Sequence, residues 1–251
     1  MSTEPWPGGY ARLHLPEVDS TQAEAARRLA ELPGPTWITT DRQTAGKGRR
    51  GRAWTSPPGN FAATLLLRPA EPPALVALRS FVAALALFDA FVAATGRTEP
   101  FALKWPNDVL LNGGKVAGIL LESLGQGQGI SHLAIGIGVN LMAAPPREAV
   151  EARALPPVSL LSETGAPVTP DEFLGLLAPA YARYETQLTT YGFAPIREAW
   201  LARAARLGEV ITARTAAEEI TGTFETVDAG GNLVLSTAKS RRAIAAAEVF
   251  F

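Results

Sequence analysis

Short alternations of apolar and polar residues in the first part of the chain indicate strands placed around one helix. Three strands are predicted, at 11–15, 37–40 and 61–67. An alanine-rich stretch, 22–32, predicts a helix that ends at the Pro33-Gly34-Pro35 sequence. Thr21 and Glu24 have the spacing of a capping box, which by itself would account for a hydroxyl at this position.

The most apolar part of the chain runs from about 75 to 94 and predicts a long helix that ends at Gly96. This segment contains Arg79 and Asp89 and is rich in alanine. A membrane span needs about 20 predominantly apolar residues with few or no charges. We therefore expect a buried helix of a globular protein and no membrane partner.

A β-meander follows the long helix. Its strand candidates lie at 101–105, 109–111, 115–122 and 132–141. The Asn112-Gly113 pair is a strong hairpin-turn signal, and the glycine-rich segment 125–129 predicts a flexible turn. Polar residues stand at the ends of these strands, which indicates that the sheet forms the floor of a site. They are Lys104, Asp108, Lys115, Glu122 and Asn140.

Two more helices are predicted after a proline-rich surface loop at 143–157. The first begins at Thr169, which forms a capping-box pattern with Glu172 and has Pro170 at the first helical position, and it runs to about Tyr191 and stops at Gly192. The second is predicted at 195–207.

The remaining residues predict a small all-β unit. Its strand candidates lie at 209–213, 220–225, 233–236 and 243–250. Short strands in so small a segment are typical of a small closed barrel. We therefore predict an α+β protein with two domains, 1–205 with a mixed, mainly antiparallel sheet flanked by helices, and 206–251 with the barrel.

Composition limits the kinds of site that the chain can hold. Of the 251 residues, 47% are hydrophobic and 19% are charged, as in a globular protein with a core. The absence of cysteine excludes disulfides, thiolate metal sites and a cysteine nucleophile. His14 and His132 are too few for a multi-histidine metal site. Residues 1–10 have no apolar signal-peptide core, so we expect a cytoplasmic protein.

The segment 43–54, called the basic loop below, concentrates positive charge in a chain whose net charge is −1. Its cations, with glycines between them, are Lys47, Arg49, Arg50 and Arg52. Backbone N–H groups at glycines, together with Arg and Lys side chains, suit phosphate or carboxylate. A solvated basic turn is the alternative. Proteins that hold nucleic acid through its phosphates are usually basic over a whole domain, so we expect a local anion site and no nucleic-acid partner.

Known phosphate motifs fail in this chain. Gly46, Gly48 and Gly51 match a dinucleotide fingerprint as a string, but that fingerprint opens a helix and Pro57-Pro58 prevents one. Gly114-Lys115 resembles the end of a phosphate-binding loop, yet valine follows where Ser or Thr is required. The kinase sequences His-Arg-Asp and Asp-Phe-Gly do not occur.

A second cation, Lys115, stands at a strand start near the carboxylate of Asp108. Phosphate and carboxylate are both anions, so cations must offset the charge that accumulates when the two are brought together. Asp108 could hold Mg²⁺, which prefers carboxylate and phosphate ligands. Taken singly, each residue would be an ordinary turn or hairpin residue. Together with the basic loop they favour a site that joins a phosphate to a carboxylate.

Four motifs together resemble the biotin–protein ligases. They are Gly-Lys-Gly-Arg-Arg-Gly-Arg-Ala-Trp at 46–54, Lys-Trp-Pro-Asn-Asp at 104–108, Gly-Lys-Val-Ala-Gly-Ile-Leu-Leu-Glu at 114–122 and Gly-Ile-Gly-Val-Asn at 136–140. Asp-Ser-Thr at 19–21 fits as well. The resemblance implies a class II aminoacyl-tRNA-synthetase-like catalytic domain and an SH3-like C-terminal barrel. It also implies the monofunctional form, since we expect no DNA-binding domain before the first strand.

The resemblance implies a two-step reaction: biotin and MgATP give biotinyl-5′-AMP, and a lysine of a biotin carboxyl carrier protein domain then displaces AMP. It also implies that a homodimer can form. The implied biotin-binding residues are Ser20, Thr21, Gln43, Gly46, Lys47, Gly48, Arg49, Lys115 and Gly118. The implied ATP-binding residues are Arg50, Arg52, Trp54, Asp108, Lys115 and Asn140. The implied catalytic residues are Lys115, Arg49 and Lys47, with Asp108 as metal ligand.

Within these sets, Ser20, Thr21 and Gln43 would hydrogen-bond the ureido ring of biotin. Lys115 would bridge the biotin carboxylate and the α-phosphate, and Gly118 would leave room for the ring. Trp54 would pack near adenine. The basic loop would be a mobile cover that orders over the adenylate.

The chain departs from the family pattern at three places. Lys47 stands where Arg is familiar, which replaces a bidentate fork with a point charge. Gln22 follows Ser-Thr where Asn is common, so we leave it out of the site, and 245–249 lacks the glycine often found before Glu-Val. Two alternatives stay open: a lipoate–protein ligase with the same fold and chemistry, and an RNA-binding protein built on the basic loop.

Overall fold

Two sheets organise the chain in its computed structural model, which describes residues 5–124 and 131–251. The glycine-rich turn predicted at 125–129 lies outside the described residues. A seven-stranded sheet carries helices, and a five-stranded sheet forms the C-terminal part.

The seven-stranded sheet is mixed and mainly antiparallel, as predicted. Its strands are β1 (Ala11–Val18), β2 (Thr36–Gln43), β3 (Phe61–Leu67), β4 (Phe101–Lys104), β5 (Asp108–Leu111), β6 (Gly114–Leu124) and β7 (His132–Val139). They lie in the order β1-β2-β3-β7-β6-β5-β4. β1 and β2 are parallel, and the other neighbours are antiparallel. Asn112 and Gly113 both have positive φ, 49° and 79°, and form the predicted hairpin turn between β5 and β6.

The long apolar segment is a buried helix, as predicted, with a break near its start. It forms α2 (Pro73–Val76) and α3 (Arg79–Thr95), and Gly96 ends it with φ 69°. By length and composition Pro73–Thr95 could cross a membrane, but 72% of its apolar window is buried inside the protein. A helix buried to this extent is typical of the core of a globular protein.

A second long helix, α5 (Pro170–Tyr191), packs against α3. Thr169 and Glu172 form the predicted capping box at its start, and Gly192 follows its end. Between the two helices and the sheet, Phe91 packs on Phe173 and on Phe101, with ring centroids 5.1 Å apart in both pairs.

Two helices differ from their predictions. α1 (Thr21–Arg27) is shorter than the predicted 22–32, and the carbonyls of Leu29 and Leu32 accept hydrogen bonds from Arg68. α6 (Phe193–Leu201) begins and ends before the predicted 195–207. Its C-terminal extension is lost because the backbone of 203–205 pairs with Leu103 of β4 instead, with N···O distances of 2.8 Å on both sides. A short helix, α4 (Leu160–Thr164), was not predicted.

The C-terminal sheet is antiparallel. Its strands are β8 (Val210–Arg214), β9 (Glu219–Val227), β10 (Leu233–Ser236), β11 (Arg241–Ile244) and β12 (Glu248–Phe250), in the order β11-β10-β9-β8-β12. The single strand predicted at 243–250 is wrong. β11 pairs with β10 and β12 with β8, so the chain must cross between opposite edges of the sheet at 245–247. The predicted boundary at 205/206 falls in the connection between α6 and β8.

Candidate functional site

A cleft of about 450 Å³ opens where β5, β6 and β7 meet the start of α1 and the basic loop. The sequence-predicted residues that line it are Ser20, Thr21, Gln43, Lys47, Gly48, Arg49, Arg50, Arg52, Trp54, Asp108, Lys115, Gly118 and Asn140. Gly46 is not among the residues that line the cleft. A side chain there would come within 2.5 Å of the Trp54 carbonyl oxygen and 2.8 Å of Gln43 Nε2, so only glycine fits.

One end of the cleft is a neutral hydrogen-bonding slot. The backbone N–H and the hydroxyl of Thr21 both donate to Gln43 Oε1, at 3.0 and 3.2 Å. Thr64 donates to the Thr21 hydroxyl at 2.8 Å, and Gln43 Nε2 donates to Ser56 at 3.2 Å. These bonds fix the orientation of the Gln43 amide. The slot therefore offers pre-oriented polar groups without a formal charge.

The capping box that the spacing of Thr21 and Glu24 allows is not formed at the start of α1. Ser20 is the N-cap residue, and its side chain makes no capping hydrogen bond. The Thr21 hydroxyl is engaged with Gln43, and Glu24 binds Arg27 and Arg28 instead, at 2.6 and 2.5 Å. The hydroxyls of Ser20 and Thr21 thus belong to the cleft rather than to the helix start.

Gln22, left out of the predicted site, also lines the cleft. It is buried, and its Nε2 donates to the carbonyl of Leu120 on β6 at 3.1 Å. A side chain at Gly136 of β7 would come within 2.8 Å of the Gln22 amide carbon. The sequence could not show that Gln22 packs against Gly136, because this contact depends on the pairing of β6 with β7.

Two glycines on adjacent strands make a flat floor. Gly118 of β6 is paired with Gly138 of β7. The Trp54 indole lies on both: a side chain at Gly118 would come within 3.2 Å of it, and one at Gly138 would overlap it. The floor is therefore bare backbone on which a planar group stacks. Gly118 was predicted as a site residue, whereas Gly138 was missed although it stands in the Gly-Ile-Gly motif.

The other end of the cleft is charged. Asp108 faces Gly118 across β5 and β6, with Lys115 Nζ 2.6 Å and Lys104 Nζ 3.7 Å from its carboxylate oxygens. Burial alone would raise the pKa of Asp108, but the two ammonium groups and Arg49 hold it below its ordinary value. Burial also lowers the pKa of Lys104, which Asp108 opposes in part. The carboxylate therefore stays ionised and fixes Lys115 at the cleft.

The basic loop folds as a narrow hairpin at the mouth of the cleft. Gly48 N donates to Arg52 O at 2.7 Å and Trp54 N to Gly46 O at 2.9 Å. Its tip is a 3₁₀ turn, Arg49–Gly51, with Arg50 and Gly51 at φ 58° and 72°. No α-helix follows before β3 in this fully described segment, as expected when the dinucleotide fingerprint was rejected.

Side chains of the loop reach residues that were not predicted. Arg49 donates to Asn107 Oδ1 at 3.2 Å and to the carbonyl of Ala247 at 3.4 Å. Burial lowers the pKa of Arg49, and Asp108 opposes this effect. Arg50 and Arg52 pair with Glu248 of β12. Asn107 was within reach of sequence reasoning, because it belongs to the Lys-Trp-Pro-Asn-Asp motif. Glu248 belongs to the Glu-Val pair noted in the sequence, but nothing there indicated its contact with the basic loop.

The proline-rich segment 143–157 is a wall of the cleft as well as a surface loop. The backbone of Lys115 bonds to Pro156 O and to Val158 N, at 2.8 and 3.0 Å. Asn140 is buried and donates from Nδ2 to the carbonyl of Val158 at 3.1 Å. Asn140 therefore holds the end of this wall against the sheet.

The ion pairs of Asp108 compete with the magnesium-ligand role predicted for this residue. Asp108, the predicted ligand, already has two ammonium groups at its carboxylate. Within 5–124 and 131–251 there is no group of three or more His, Cys, Asp or Glu side chains placed to hold a metal.

Comparison with known proteins gives two family matches. The model of the biotin/lipoate A/B protein ligase family matches residues 15–140, and that of the biotin protein ligase C terminal domain matches 207–251. A biotin–[acetyl-CoA-carboxylase] ligase from Paracoccus denitrificans is 59% identical over 237 residues, which cover 94% of this chain and 99% of the relative. The bifunctional ligase/repressor BirA of Bacillus subtilis is 30% identical over 237 residues, which cover 93% of this chain and 72% of the relative.

Among solved structures, the biotin protein ligase from Aquifex aeolicus in complex with biotin and ATP superposes with a TM-score of 0.82. It is 28% identical in sequence, and the match covers 95% of this chain and 98% of that chain. The similarity therefore extends over both sheets.

Proposed function

The chain belongs to the biotin/lipoate A/B protein ligase family, and on that premise we propose what the cleft does. It is the site of an ATP-dependent biotin–protein ligase, which makes biotinyl-5′-AMP and then biotinylates a lysine of an acceptor protein. The observation that carries this function is that one cleft joins the neutral slot at Thr21 and Gln43 to the charged pair of Lys115 and Asp108.

We assign the ureido ring of biotin to the slot. A urea presents N–H donors and a carbonyl acceptor, so its site needs both acceptors and donors. The hydroxyls of Ser20 and Thr21 and the amide of Gln43 supply both kinds of group. The dithiolane ring of lipoate has no such donors, and therefore the slot favours biotin.

In the first step an oxygen of the biotin carboxylate bonds to the α-phosphorus of ATP, and the bond to the pyrophosphate oxygen breaks. Negative charge accumulates between two anions that repel each other. Lys115, held by Asp108 beside the glycine floor, is placed to offset that charge. Arg49 and Lys47 of the basic loop add cations from above the floor.

We assign the nucleotide to the remainder of the cleft. Arg50 and Arg52 face the phosphates, Trp54 packs near adenine, and Asn140 holds the adjoining wall. Magnesium enters as MgATP, with phosphate oxygens as its ligands. In this assignment Asp108 orients Lys115 instead of binding the metal.

In the second step the acceptor amine bonds to the biotinyl carbonyl carbon, and AMP leaves with the electron pair of the broken anhydride bond. Only the neutral amine attacks, so the acceptor lysine must lose its proton. We propose that this lysine belongs to a biotin carboxyl carrier protein domain. We also propose a cytoplasmic enzyme with domains at 1–205 and 206–251, able to form a homodimer and without nucleic-acid or membrane partners.

The function is tested by pyrophosphate release with biotin or with lipoate, each with MgATP. We expect release with biotin only. Titration calorimetry with biotin, with and without ATP, measures the slot directly. Release with lipoate alone would assign the cleft to the other branch of the family, and salt-sensitive RNA binding without biotin binding would favour a non-enzyme.

A further inference from the structure

Glu248 of the C-terminal sheet makes a link that the adenylation chemistry above does not explain. It is the first residue of β12 and pairs across the sheet with Arg214 of β8. Arg214 Nη2 lies 2.7 Å from Glu248 Oε2, which fixes the carboxylate at the edge of the sheet. The Glu248 side chain is only 16% exposed, so water screens its charge far less than that of a surface carboxylate.

The same carboxylate holds two arginines of the basic loop. Arg50 Nη1 lies 3.1 Å from Glu248 Oε2, and Arg52 Nη1 bonds to Glu248 Oε1. These are charge-assisted hydrogen bonds to a carboxylate that accepts through both oxygens. The adjoining Ala247 carbonyl accepts from Arg49. The turn at the tip of the basic loop is therefore tied to β12.

A second carboxylate closes the arrangement into a ring. Glu151, in the proline-rich wall, lies 3.1 Å from Arg52 and 2.7 Å from Arg214. Charges alternate around the ring in the order Arg52, Glu248, Arg214, Glu151. It joins the basic loop, the C-terminal sheet and the wall at the rim of the cleft. With Arg50 it holds three guanidinium groups and two carboxylates, so one positive charge remains to attract phosphate.

We propose that Glu248 is a positioning residue that keeps the basic loop folded over the cleft, which makes the C-terminal sheet part of the cover of the adenylation site. This inference rests on the proposed function for what is covered, but the tie between Glu248 and the loop stands on the contacts alone. The low pKa of Glu248, about 2, has the Arg52 hydrogen bond as its largest cause and agrees with a carboxylate held by cations.

Trypsin cleavage tests the tie without any substrate, because Lys47, Arg49, Arg50 and Arg52 are all cleavage points in the basic loop. Proteolysis of a native protein follows the population of the locally opened state. We expect Glu248→Gln to raise the cleavage rate in the loop by about tenfold. Glu225→Gln is the matched control: it breaks an ion pair with Arg241 in the same sheet, away from the cleft, and its loop is expected to be cleaved as in the wild type.

Kinetics separate positioning from a general defect of the fold. We expect Glu248→Gln to raise the KM for ATP and the release rate of the adenylate more than it weakens biotin binding without nucleotide, because Thr21 and Gln43 of the slot are held by each other, by Thr64 and by Ser56 rather than by Glu248. Glu151→Gln, outside the C-terminal sheet, is expected to act in the same direction. Wild-type loop cleavage in both variants, or an equal loss of biotin binding, overturns the proposal. If the wild type itself releases no pyrophosphate with biotin, the proposed function is wrong, while loop cleavage still tests whether Glu248 holds the basic loop.

Discussion

Lys115 is the residue on which the proposed chemistry depends most. Its ammonium group is held by Asp108 at 2.6 Å, and the ring of Trp54 lies 5.6 Å away. A cation fixed in advance stabilises developing charge without having to reorganise at the moment of reaction. The Asp108 pair is therefore more than a stabilising contact, since it determines where the positive charge stands.

Replacement of Lys115 by alanine should abolish most adenylate formation. We expect the rate of biotin-dependent pyrophosphate release to fall by about 10²-fold or more. The fold should survive, because Asp108 keeps Lys104 as a partner. Lys239→Ala removes an exposed lysine from the turn between β10 and β11 and serves as the control. Normal turnover in the Lys115 variant would contradict the assigned role.

Gly138→Ala tests the glycine floor. The added methyl group would overlap the Trp54 indole, so we expect the indole to be displaced and the KM for ATP to rise by about tenfold, with a stability loss of about 1 kcal/mol. Gly175→Ala is the control, since nothing lies within 4 Å of its added methyl group in α5. That variant should be more stable by about 0.5–1 kcal/mol in urea unfolding, with unchanged kinetics. Unchanged kinetics in Gly138→Ala would contradict the assignment of Trp54 to the nucleotide-binding part of the cleft.

At the residue scale, sequence reasoning succeeded where a motif kept the chemistry together and failed where a partner comes from elsewhere. The basic loop and Lys115 are recognisable from local spacing. Glu248 is not, because its role depends on a strand that folds back over 190 residues later in the chain than Arg52. Thr21 fitted both a capping box and a ligand site in the sequence, and only its hydrogen bonds to Gln43 distinguish the two.

At the element scale, boundaries were predictable where local signals act alone. α5 matches its prediction because a capping box, a proline and a glycine define both ends. α6 does not, because pairing of 203–205 with β4 competes with the helix for the same backbone groups. The wall at 143–157 has little regular structure, so periodicity could not place it against β6. Tertiary hydrogen bonding, rather than propensity, determined these differences.

At the scale of the whole molecule, the charge distribution links the two sheets. The ring of Arg52, Glu248, Arg214 and Glu151 ties the C-terminal sheet to the catalytic cleft. A chain with a net charge of −1 thus keeps its positive charge local, where carboxylates hold it in place. Stability and covering of the site should therefore respond together to pH.

The pH dependence of unfolding follows from the low pKa of Glu248, about 2 against an ordinary value of 4.5. A carboxyl whose pKa is lower in the folded state stabilises the protein above its unfolded pKa, and that stability is lost as pH falls through the folded value. We expect Glu248→Gln to be less stable than the wild type by about 1–2 kcal/mol at about pH 6. Because the variant has no group to titrate at 248, this difference should shrink between about pH 4.5 and pH 2.

Urea unfolding of both proteins at several pH values measures this difference. Glu225→Gln should follow the wild type at each pH, because its ion pair with Arg241 is exposed and contributes little. If the Glu248 variant and the wild type instead remain separated by a constant free energy down to about pH 3, the stabilisation does not come from the ionised carboxylate. Packing around residue 248, rather than the charge of its carboxylate, would then hold the arginines of the basic loop over the cleft.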